Sequence, residues 1–188
     1  ALAALAAAAF FRWVERYLPR EQEAIIGSCF ILAASAVLLA LADHPQGGEE
    51  IQHILSGQML FISWSEIVAF APLYVIAPWL WFIVPHVRKG IGFFVLFALV
   101  ATASVQMVGV YVVFASLILP ALAVNTMHGG RTVGAIAVSI LAVIVGIVVS
   151  ALGDMPAGPV LVFAFAIAAI MCRVGHVVFT KLRDTTDP

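Results

Sequence analysis

Four residues in one short stretch have the chemistry to hold a metal ion: His44, Glu49, Glu50 and His53. Imidazole and carboxylate donors together suit Zn²⁺ or Mn²⁺, with a slight lean toward zinc because imidazole favours the softer ion. In a helix, Glu49 and His53 would stand at i and i+4 and share a face. The string DHPQGGEE at 43–50 is acidic and turn-rich, so the same residues also read as a solvated loop with two ordinary histidines. Even on the sharper reading this is an entrance feature and not a tight site. Ser104, Gln106 and Ser116 are polar groups inside apolar runs. They are candidates for lining a translocation path, and helix–helix hydrogen bonding accounts for them equally well. His86, His128 and His176 lie near Arg88, Arg131 and Lys181 and read as interfacial residues.

What is missing narrows the chemistry further. The sequence contains no GxxxxGK[ST], HExxH, GxSxG or CxxC, so no catalytic residue, nucleotide site or cofactor site is assigned to this chain. Gradient-driven transporters place Asp, Glu, His, Lys or Arg within their spans as relays. The apolar runs here offer Ser, Thr, Gln, Asn and Cys instead. Cys29 and Cys172 lie in apolar runs and do not suggest a disulfide framework.

The elements that must position these residues follow from composition. Of 188 residues, 64% are hydrophobic and 10% charged, and the mean hydropathy is +1.14. Globular chains average about 45–50% apolar and about 25% charged residues. So apolar a chain needs the bilayer as its solvent, which excludes soluble enzymes and nucleic-acid binders. Residues 24–42, 67–84, 132–152 and 159–172, with small extensions, read as spans. The run 91–124 would measure about 51 Å as one helix. It reads as two short passes that turn in its polar middle, near 106–109, the second ending after Pro120. Pro72 and Pro78 should bend the helix that carries them. Small residues at fourfold spacing, such as Gly146 and Ser150, let helices approach closely.

Six passes put all nine Lys and Arg residues on one side, the cytoplasmic one by the positive-inside rule. The N-terminal basic loop and the C-terminus then both face the cytoplasm. The expected fold class is an all-α polytopic membrane protein with about six transmembrane helices in one transmembrane domain over residues 1–188. ALAALAAAAF at the start lacks an initiator Met and a basic n-region, so it reads as the end of one more helix in a fragment lacking its N-terminal helices.

Four strings, in this order and spacing, resemble the permease subunits of ABC importers for zinc, manganese or iron(II). They are EAIIG at 23–27, LSGQMLFISWSEI at 55–67, VGVYVVFASLILPALA at 108–123 and ALGDMPAGPVLV at 151–162. The last is similar to that family's Leu-Asp-x-Pro-[Ser/Thr]-Gly-Pro turn, with Gly153 and Ala157 as variations. The resemblance covers about residues 20–175. It implies an inner-membrane dimer of permeases docked to cytoplasmic ABC ATPase subunits. A periplasmic or lipid-anchored metal-binding protein would deliver a divalent metal ion, zinc or manganese, as cargo.

Two departures accompany the resemblance. The family's longer cytoplasmic coupling segment is reduced here to PHVRKG at 85–90, which leaves His86, Arg88 and Lys89 as the expected ATPase contact. The family's transmembrane metal-coordinating Asp and His residues are expected in an N-terminal portion, so no span residue inherits that role. Alternatives are a gradient-driven transporter or channel, a cobalamin or iron–siderophore ABC permease, and a nonfunctional derivative of such a permease.

Overall fold

The computed structural model describes residues 2–42, 64–85, 90–127 and 129–184. These form seven helices, with no strand among the described residues. They are α1 (Leu2–Tyr17), α2 (Gln22–Ala42), α3 (Trp64–Ile83), α4 (Ile91–Val108), α5 (Val110–Val124), α6 (Arg131–Gly153) and α7 (Ala157–Asp184). In hydrocarbon every backbone N–H and C=O must be satisfied within the segment, so these apolar runs can only be helices. Four helices are long and apolar enough to cross a membrane: α2, α4, α6 and α7. Two shorter apolar segments, Ile67–Ile83 and Val110–Val124, complete the six expected passes. The chain is a polytopic α-helical membrane protein.

α7 is the hub. It packs along α6, α5 and α2, and Leu161, Val162 and Phe165 on it are fully enclosed. Its closest approach is to α6 at Gly146. A Cβ there would lie 2.7 Å from Leu161 Cδ2, 3.1 Å from Ala164 Cβ and 3.2 Å from Leu161 Cα. Ser150, one turn further along α6, is buried and donates its hydroxyl to the Met155 carbonyl at 2.7 Å. That bond pins the α6–α7 corner, where Asp154 takes a left-handed conformation (φ 48°). The small residues at 146 and 150 thus do what their spacing implied.

The run 91–124 forms two helices as expected, and the break falls at Gly109, within the 106–109 turn; α4 stays helical through Thr102, Ser104 and Gln106 to Val108. Gly109 sits at φ 90°, ψ 153°, open to glycine and costly for other residues. Polar side chains can be satisfied locally inside a span, whereas an unwound backbone there cannot. α5 runs through Pro120 and ends after it, at Val124, as expected. α3 stays helical across Pro72 and Pro78, and α7 extends beyond the span expected at 159–172, from Ala157 to Asp184. The N-terminal helix expected at 1–11 is observed as α1, which reaches Tyr17 and carries Arg12 and Arg16.

Candidate functional site

The expected polar path residues are divided by the structure. Ser104 on α4 and Ser116 on α5 line one cleft of about 330 Å³, which Val143 and Phe165 close from α6 and α7. The cleft lies beside the break at Gly109: Val108 before it and Val112 and Val113 after it are among the lining residues. Gln106 is exposed and does not line the cleft. Two positions from Ser104 on a helix, it points about 200° away.

Both serine hydroxyls are already engaged. Ser116 donates to the Val113 carbonyl at 2.8 Å. Ser104 shares a 2.9 Å hydrogen bond with the Tyr74 hydroxyl of α3, the described polar link between those two helices. With the hydroxyls committed, the cleft offers mainly Val, Ala, Leu and Phe surface. No group of three or more His, Cys, Asp or Glu able to hold a metal occurs among the described residues. His44, Glu49, Glu50 and His53 lie outside the described residues, as do His86, Arg88 and Lys89.

The strongest polar feature is one that sequence reasoning did not single out. Glu21, between α1 and α2, is buried and pairs with Arg173 of α7 at 2.7 Å. Its other carboxylate oxygen accepts a hydrogen bond from Asn125 Nδ2, just past α5, at 2.9 Å. Burial pushes the Glu21 carboxyl up. The hydrogen bonds from Arg173 and Asn125, with the Arg173 charge, outweigh that and hold it below its ordinary value. This cluster ties the start of α2 and the end of α5 to Arg173 within α7. Arg131 opens α6 at the same end and caps the Met127 carbonyl at 2.5 Å. The described basic residues Arg20, Arg131 and Arg173 therefore share an end, as the span reading requires. An acidic residue directly after Arg20, at the mouth of a span, was the available signal.

Fold and site together define a membrane-embedded helical protein. Residues 83–175 match the model of the ABC 3 transport family. The match covers about half of the chain, including α4 to α6 and most of α7, and supports an ABC-transporter permease family. Such a permease is the membrane-spanning transport component; its ATPase is a separate chain, and ATPase and substrate-binding partners generally accompany it. No curated protein and no solved structure matches this chain.

Proposed function

We propose that this chain is the permease subunit of an ABC importer for divalent metal ions, zinc or manganese. The supporting observation is that the family match falls on α4–α7, and two of the resembling strings build the break at Gly109 and the α6–α7 corner. In this reading the chain sits in the inner membrane as one of a pair. The end carrying Arg20, Arg131 and Arg173 faces the cytoplasm. A partner ATPase docks near His86, Arg88 and Lys89, and a periplasmic or lipid-anchored binding protein delivers the ion to the entrance at His44, Glu49, Glu50 and His53.

The ion's path runs along the cleft marked by Ser104 and Ser116. Their hydroxyls become ligands only if the bonds to Tyr74 and Val113 are exchanged as the helices move. Gln106 reaches such a path only from the outer face of α4, across the pair of permeases. The spans carry no titratable relay of their own, so the driving force comes from ATP in the partner. The test is uptake of ⁶⁵Zn or ⁵⁴Mn into vesicles holding the permease with its ATPase. ATP-dependent uptake is expected. Uptake that persists without the ATPase and collapses with the proton gradient would overturn the reading in favour of a gradient-driven carrier. ATP-dependent uptake of cobalamin or an iron–siderophore complex, with none of the metal ions, would overturn the cargo.

A further inference from the structure

We infer that the α1–α2 corner is a docking site for anionic lipid headgroups. Arg12 and Arg16 stand at i and i+4 on α1, and Arg20 follows in the turn; all three are exposed and make no ion pair among the described residues. Glu21, the acidic residue next to Arg20, is withdrawn from them: its carboxylate faces inward to Arg173 and Asn125. What remains is three guanidiniums against the exposed carboxylates of Glu15 and Glu23, a corner of net positive charge.

Beside the arginines runs an aromatic stripe. Phe10, Trp13 and Tyr17 are exposed, with ring centroids 6.4 Å apart for Phe10–Trp13 and 5.2 Å for Trp13–Tyr17. At 3.6 residues per turn the stripe lies between the buried face, marked by Val14, and the arginine face. Apolar surface merging through aromatic rings into cations is the profile of a bilayer boundary, with Trp and Tyr at headgroup level. Guanidiniums match phosphate oxygens bidentately. Basic clusters beside a membrane surface attract anionic lipid within a Debye length. An anionic lipid satisfies stripe and charge together, its chains against the rings and its phosphate against the guanidiniums. The inference depends on the membrane-spanning fold and not on which cargo is carried.

The experiment is quenching of Trp13 fluorescence by brominated lipids, in a chain whose other tryptophans are replaced (Trp64→Phe, Trp79→Phe, Trp81→Phe), reconstituted in phosphatidylcholine vesicles. Brominated phosphatidylglycerol is expected to quench Trp13 several-fold more strongly than brominated phosphatidylcholine at equal mole fraction. Raising the salt concentration should erode that preference. The combined substitution Arg12→Gln, Arg16→Gln, Arg20→Gln should abolish it. A companion chain keeping only Trp64, on α3, should show no preference. Equal quenching of Trp13 by the two lipids would overturn the proposal, as it would if a second copy covered the corner. So would a preference that survives high salt, or one equally strong at Trp64. If the triple substitution fails to insert, the salt series on the arginine-containing chain decides.

Discussion

The two halves of this bundle are built to different rules. Along α7, 56% of the span is enclosed by protein, against 6% along α4. α7 reaches α6 through Gly146 at backbone-contact distance, while α3 and α4 show Val68, Val75, Trp79, Phe82, Phe94 and Leu99 to the outside. In a bilayer the exposed apolar face carries no penalty, because lipid tails are as apolar as leucine. Packing and polar ties must therefore decide which helices move together. α2, α5, α6 and α7 share a packed core and the Glu21–Asn125–Arg173 tie. α4 joins that core through Gly109 and the cleft, and α3 is tied to α4 by one pair of hydroxyls. The contrast predicts that the α3–α4 arm shifts more readily than the α2/α5–α7 block, which its packing holds together.

The sharpest way to break the contrast is Gly146→Val. It forces a branched side chain against Leu161, which is fully enclosed and has nowhere to go. A loss of about 3 kcal/mol is expected, read as thermal unfolding in detergent. Ala98→Val, comparable bulk on the exposed face of α4, should leave the same transition unmoved.

Next in size is Arg173→Ala, which strands the Glu21 carboxylate. Breaking a buried pair costs about 3–5 kcal/mol; Arg173 is 29% exposed, so about 2 kcal/mol is expected after screening. The pair has a pH signature. Glu21 titrates lower in the folded chain than its ordinary 4.5, so its stabilisation is complete above that value and is lost as pH falls through the folded pKa. In a thermal-unfolding series Glu21→Gln should be less stable than the parent at pH 7, the gap closing as the pH falls below 4.5.

A smaller effect has the opposite sign. Ser35 on α2 is fully buried and its hydroxyl has no partner, whereas Ser28, Ser116 and Ser139 return theirs to backbone carbonyls. Ser35→Ala removes an unsatisfied group and should raise core stability by about 1 kcal/mol, measured by the same unfolding assay. Smallest is Tyr74→Phe, which cuts the Ser104 bond between α3 and α4. About 0.6 kcal/mol is expected, together with faster hydrogen exchange in α3 and α4 but not in α7.

Most of the layout was legible because it follows from hydropathy. The spans, the one-ended basic residues and the tight α6–α7 approach all come from local sequence. The break at Gly109 falls within the turn read near 106–109, with Thr102, Ser104 and Gln106 helical up to it. The long-range ties were not legible. Glu21 and Arg173 are separated by 152 positions, and nothing local in either neighbourhood announces the other. The serines at 104 and 116 could be named from the sequence, but their commitment to Tyr74 and Val113 depends on how α3, α4 and α5 meet.

The most direct test of the layout is sidedness. In a chain with Cys29→Ser and Cys172→Ser, single cysteines at Arg20, Lys89, Arg131 and Asp154 would be probed with a membrane-impermeant maleimide on oriented vesicles. Labelling of positions 20, 89 and 131 from one face, and of 154 from the other, is predicted. Labelling of 89 and 131 from opposite faces would contradict it.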